Sequence, residues 1–186
     1  NPDFDDCNSI IKFCKKNEFD SVIAIGGGSA MDIAKVAIAY ISTKKEDIYE
    51  LINTKDKYKY KILSFFLPTT HGTASEVTMW GTLWNNKEKK KYSISNRCLY
   101  PTVAILDASL TLSLPYETSI ITTLDALSHS FEAIWNKNAT EKTNMYAIRA
   151  ICLILNNIEK LYEFPFGLNT RKKLLKSSMV SGLAFS

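Results

Sequence analysis

Asp125 and His129 stand four residues apart, a spacing that on a helix brings a carboxylate and an imidazole to one face. Such a pair can hold one divalent cation, Fe(II), Zn(II), Mn(II) or Ni(II), and it can equally be a surface i, i+4 ion pair. The chain has only one other histidine, His71, so any cation bound here needs ligands from beyond these residues. Upstream, an apolar run leads into Gly26-Gly27-Gly28-Ser29 and then a helix-like segment rich in alanine. That order puts unhindered backbone N–H groups and a helix N-terminus at one point, which is what a diphosphate requires. Ser29 is expected to serve as the N-cap, with Asp32 in the capping-box position. The turn is neither G-x-G-x-x-G nor a Walker pattern. A second donor-rich loop, Thr69-Thr70-His71-Gly72-Thr73-Ala74-Ser75-Glu76, follows Pro68 and another apolar run, in the place where ligands bind at strand ends of α/β sheets.

These groups need elements to position them. Residues 10–16 carry apolar positions at helical spacing, residues 21–25 are strand-sized, and residues 30–40 read as a buried helix. A polar stretch over 42–61 precedes a strand at 62–67. Residues 77–84 and 91–94 flank a basic turn at 85–90 and form a hairpin, and 103–106 is a short strand ended by Asp107. Helices alternating with strands up to about here predict an α/β layer. Beyond Pro115 the spacing is helical throughout, with breaks near 136–138 and 167–168. Within 118–135, Ile120, Leu124, Leu127, Phe131 and Ile134 form an apolar stripe, with Asp125 and His129 together on an adjoining face. The expected domains are 1–114 and 115–186.

The composition, 46% hydrophobic and 23% charged over 186 residues, is that of a globular chain and excludes disorder. The net charge of +4 comes mostly from Lys87–Lys91 and Arg171–Lys173, without interleaved aromatics, which argues against nucleic acid. No apolar run approaches the ~18 residues of a membrane span, and no signal peptide precedes the first helix. Cys7, Cys14, Cys98 and Cys152 show no close pairing and are expected to be free thiols in the cytoplasm. The chain starts on Asn1 and stops with an unfinished apolar pattern, so both ends read as truncated.

Taken in order, Ile23–Lys35 with its Gly-Gly-Gly-Ser turn, Pro68–Thr78, Asp107–Pro115 and Asp125–Glu132 resemble the iron-containing alcohol dehydrogenase family over nearly the whole chain. The resemblance implies a dehydroquinate synthase-like fold, in which a Rossmann-type α/β dinucleotide-binding layer precedes an all-helical domain, both truncated here. It also implies NAD(P) as cofactor. Gly27, Gly28, Ser29 and Asp32 would lie at its diphosphate, Thr69, Thr70 and Thr73 on the nicotinamide side, and Lys91 at a ribose or phosphate. Asp125 and His129 would ligate a divalent metal, Fe2+ with Zn2+ as the other option, while two further histidines lie downstream of a helix whose start resembles Ser181–Ser186. The residue that discriminates NAD from NADP belongs to the family's first strands, outside this chain, and the fragment alone is expected to be inactive.

The implied activity is hydride transfer between NAD(P)H and a small alcohol or aldehyde, in a homodimer that contacts neither membrane nor nucleic acid. Other readings are a lyase of the dehydroquinate synthase type and a non-catalytic interaction module. His71 and Ala74 depart from the family pattern, which has a small residue and commonly glycine there. Residues 92–95 and 131–140 resemble the branch that reduces phosphonoacetaldehyde.

Overall fold

The computed structural model describes residues 2–54, 58 and 61–186. The chain opens with α1 (Phe4–Lys15), whose start is fixed by reciprocal bonds between Asp3 and Asp6. β1 (Ser21–Gly26) runs through the glycine turn into α2 (Gly28–Thr43), and α3 (Ile48–Asn53) follows. β2 (Leu63–Pro68) pairs parallel with β1, with Gly26 opposite Pro68, and the short β5 (Val103–Ala104) adds to the far side in the order β1-β2-β5. Between them the antiparallel hairpin of β3 (Trp80–Asn85) and β4 (Lys90–Ser95) forms a separate two-stranded sheet.

The main core lies between α1, α2, α3, the sheet and the hairpin, around Ile11, Met31, Ile38, Ile48, Phe66 and Leu83, all fully buried or nearly so. On the other face of the sheet, Ile23, Ile25 and Leu63 are exposed.

After a 3-10 turn at Ala108–Thr111 the chain is helical: α4 (Tyr116–Trp135), α5 (Glu141–Leu155), the short α6 (Lys160–Glu163) and α7 (Leu168–Phe185). α4, α5 and α7 pack against one another. The join between the two parts is held by a residue that belongs to one of the two basic clusters of the sequence. Arg171, on α7, is fully buried. Its guanidinium donates to the carbonyls of Thr111, Leu114 (2.9 Å) and Pro165 (2.8 Å), so one planar fork ties the turn before α4 to the start of α7.

Several expectations need correction. α2 begins at Gly28, its N-cap is Gly27 with no side-chain bond, and Ser29 is already inside the helix. Ser29 is therefore not the cap and Asp32 closes no capping box, because Asp32 is drawn away to other partners. The polar stretch 42–61 contains the end of α2 and all of α3, capped by Asp47 onto Glu50 N–H at 2.9 Å; residues 55–57 and 59–60 lie outside the described residues. β5 spans two residues rather than four, since only Phe65 and Phe66 pair with it.

The buried face of α4 is not the apolar stripe. It is Ser119, Thr123, Ala126, Ser130 and Ala133, whereas Leu124 and Phe131 are 47% and 39% exposed. Small residues win that face because they let α4 and α7 approach closely: the Ser130 and Ser181 hydroxyls lie 3.0 Å apart, and Ser181 donates to Ala126 O at 2.8 Å.

Replacing Arg171 by Met leaves three carbonyls without their charged donor. Chemical denaturation of Arg171→Met is expected to show a loss of about 3 kcal/mol or more, and a loss below about 1 kcal/mol would mean the fork does not hold the junction.

Candidate active site

The parallel register decides where the site forms. With Gly26 opposite Pro68, the glycine turn and the threonine loop leave the same end of the sheet, and Thr69 N–H donates to Gly26 O at 2.9 Å. Gly26 has φ +154°, a conformation an L side chain avoids, and a Cβ there would stand 2.6 Å from Ala30 Cβ. At Gly28 a Cβ would come within 2.7 Å of the Thr73 side chain, so the two loops touch only because that position has no side chain.

The threonine loop then meets α4. A Cβ on Gly72 would lie 2.8 Å from Thr122 O and 3.2 Å from Asp125 Oδ2, which puts the acid of the DxxxH pair in contact with the loop. His129 Nε2 is 3.7 Å from Asp125 Oδ1, and both side chains are partly exposed. Two donors at this separation can share one ion at about 2.1 Å from each. The donor set, one carboxylate and one imidazole, fits Fe2+ or Zn2+ in chemistry. Among the described residues no cluster of three or more acid, histidine or cysteine side chains is present to complete a coordination shell.

A cleft of about 690 Å³ gathers these groups. Gly27, Gly28, Ser29 and Asp32 line it from the turn, Thr70 and Thr73 from the loop, Lys91 from β4, and Asp125 and His129 from α4. Thr69 alone of the expected residues is outside the lining. Sequence reading missed the wall formed by Trp80, Thr82 and Trp84, which alternate along β3 and so share a face. That period was there to be read. It also missed Phe185, whose ring lies 4.9 Å from the His129 ring and 5.9 Å from that of Trp80.

Beneath the cleft is a buried charged group. Asp32 accepts from Ser75 Oγ (2.8 Å) and Thr82 N–H (3.0 Å). Burial raises its pKa, opposed chiefly by the Lys35 ammonium. Lys35 is fully buried, and burial pushes it down to about 8 against the pull of Asp32 and Glu76. Glu76, 2% exposed, is pushed up to about 7 by burial, opposed by its backbone N–H and by Lys35.

His71 does not line the cleft. It is fully buried, neither ring nitrogen has a partner among the described residues, and burial with the nearby Arg171 charge depresses it to about 4. It therefore packs as a neutral ring and makes no backbone hydrogen bond. Ala74 sits at φ 52°, the left-handed region that glycine tolerates best. All four cysteines are free, Cys7 and Cys14 buried and Cys152 exposed. No helix of the described residues is long and apolar enough to cross a membrane.

A parallel sheet with donor loops at one end, followed by a helical part that presents an acid and an imidazole to those loops, defines a dehydroquinate synthase-like architecture. The chain belongs to the iron-containing alcohol dehydrogenase family: the family model "Iron-containing alcohol dehydrogenase" matches residues 1–108, and "Fe-containing alcohol dehydrogenase family, C-terminal" matches residues 119–186. It is 32% identical to the aldehyde-alcohol dehydrogenase of Streptococcus pneumoniae over all of this chain and 22% of that protein. It is 35% identical to a probable alcohol dehydrogenase of Escherichia coli over 90% of this chain and 42% of that protein. The solved sulfoacetaldehyde reductase of Bifidobacterium kashiwanohense, in complex with NAD+, superposes with a TM-score of 0.90 at 33% identity, covering 99% of this chain and 49% of that one. The chain thus spans half or less of the length of these relatives.

The His71 pKa is depressed from 6.5 to about 4, so the unfolded chain takes up a proton that the folded one refuses. This contribution to stability is complete above pH 6.5 and is lost as pH falls toward about 4. Urea titrations across that window should show His71→Ala gaining on the wild type as the pH drops, and a constant difference would place the acid sensitivity elsewhere.

Proposed function

We propose that this chain supplies the dinucleotide-holding layer and the first two metal ligands of an oxidoreductase that passes hydride between NAD(P)H and a small aldehyde or alcohol. The observation that carries this reading is the contact of Gly72 with Asp125, because it sets the threonine loop and the DxxxH pair against each other in one cleft.

The N-terminus of α2, with the free N–H groups of its first turn and the permissive Gly27 and Gly28, receives the diphosphate. Lys91, exposed on β4 beside the cleft, adds a point charge toward a ribose or phosphate. Thr70 and Thr73 hydroxyls orient the nicotinamide side, and Trp80 and Phe185 close the apolar wall that keeps water from the reacting carbon. Asp125 and His129 hold a divalent ion, with Fe2+ favoured by the family. When bound, such an ion acts as a Lewis acid on the alcohol or carbonyl oxygen. The protein's own share of the rate comes from holding donor and acceptor carbons in one water-poor cleft.

The test is NADH and NADPH oxidation by the intact, Fe(II)-loaded enzyme against small aldehydes, including phosphonoacetaldehyde and sulfoacetaldehyde. Turnover is expected to vanish with a chelator, and Asp125→Ala and His129→Ala should each lower kcat/KM by about 100-fold or more. Full activity in either variant would remove the pair from the mechanism, and absence of both NADH and NADPH oxidation with every aldehyde would overturn the dehydrogenase reading.

A further inference from the structure

We propose that Lys35 is the positioning residue that holds the diphosphate turn and the nicotinamide loop in register for a single dinucleotide, a role that rests on the cofactor site proposed above. Lys35 lies one helical turn below Asp32 on α2, three residues on and so on the same face. It points beneath the cleft and does not line it.

Its ammonium has three hydrogens, and each has an acceptor: Ser75 Oγ at 2.7 Å, Thr78 Oγ1 at 3.0 Å and Trp80 O at 2.7 Å. These acceptors span the 3-10 turn at Ser75–Val77 that ends the threonine loop and the first residue of β3. The Ser75 hydroxyl that accepts from Lys35 donates in turn to Asp32, and Asp32 takes Thr82 N–H on its other oxygen. Five hydrogen bonds therefore fasten residues 75–82 to the helix that starts at the glycine turn. At its other end the same loop rests Thr70 and Thr73 against Gly27 and Gly28. The loop is thus pinned at both ends to one helix, and Lys35 makes three of the five bonds at the far end.

The ammonium also neutralises Asp32, whose carboxylate lines the cleft that would take an anionic diphosphate. Among the described residues the charged or titratable groups facing this pair are Asp32 on α2, Glu76 on the 3-10 turn, Lys91 on β4 beside Asp32, and the Cys7 thiol of α1. β3 contributes a carbonyl, Trp80 O, and no charge to Lys35. Without the ammonium, Asp32 keeps only the weaker Lys91 charge. The Ser75 and Thr78 hydroxyls lose their donor, and the loop bearing Thr70 and Thr73 loses its fixed distance from the turn.

The experiment is NADH binding by fluorescence to the intact enzyme and to Lys35→Met, with circular dichroism to establish that the variant is folded. The expected result is a Kd raised about tenfold or more at neutral pH, the weight of one charge-assisted hydrogen bond, and a kcat at saturating NADH that changes far less than KM for NADH. Wild-type affinity should weaken as pH rises through about 8, where Lys35 loses its proton, while Lys35→Met shows no such step.

A folded Lys35→Met that binds NADH as tightly as wild type, or that retains the full pH step, overturns the proposal. If Lys35→Met does not fold, Lys35→Arg, charged throughout this range, carries the test: a flat profile against the wild-type step supports the role, and an equal step in both overturns it. Wild type that binds neither NADH nor NADPH removes the cofactor reading itself and this role with it, whereas wild-type binding with an unaffected variant removes this role alone.

Discussion

Parallel pairing of β1 with β2 at the register that sets Gly26 against Pro68 fixes where every other feature must be. Parallel strands end at the same edge of the sheet, so the chain leaves both at one point. Two donor-rich loops emerging there must occupy nearly the same space. They do so because the backbone at Gly28 lets Thr73 come to a distance that no side chain would permit. A shift of one residue along β2 would separate the loops and leave Thr69 N–H without Gly26 O.

The crowding has an electrostatic counterpart. Bringing the turn and the loop together half-buries Asp32 against the loop, and a carboxylate stripped of part of its water needs a counter-charge and donors. Lys35, Ser75 and Thr82 provide them. The helical part is then seated by a second buried cation, Arg171, which ties α7 to the boundary turn, while Gly72 gives α4 room to set Asp125 against the loop. Two buried cations, one in each part, thus serve the two connections a bipartite cleft depends on.

Much of this was legible in the sequence because it depends on local chemistry. The strand, glycine turn and helix, the hairpin around residues 85–90 and the all-helical second part follow from spacing and composition, and nine of the ten residues named in advance share one cleft. What was not legible depends on partners distant in the chain. Asp32 looked like a capping residue because its neighbours suit that role, yet Ser75 and Thr82 claim it from across the fold. Spacing on α4 shows a stripe of large residues, but the helix packs by its serines and alanines because α7 offers the Ser181 hydroxyl to Ser130 and Ala126 O. Arg171 sits in a run of basic residues, and nothing local distinguishes it from Lys172. α3, six residues long, is too short for periodicity to separate from a polar loop.

The seam that joins α7 to the threonine loop carries a consequence for how this chain can vary. A Cβ on Gly182 would overlap Ala74 Cβ at 2.4 Å and Val77 Cγ2 at 2.6 Å, and Ala74 itself occupies the left-handed region. Residue 182 has no room to grow unless residues 74 and 77 both give way, and residue 74 can shrink only to glycine. The two positions, more than a hundred places apart in the chain, therefore constrain each other's size, and the seam between α7 and the threonine loop stays close only while both remain small.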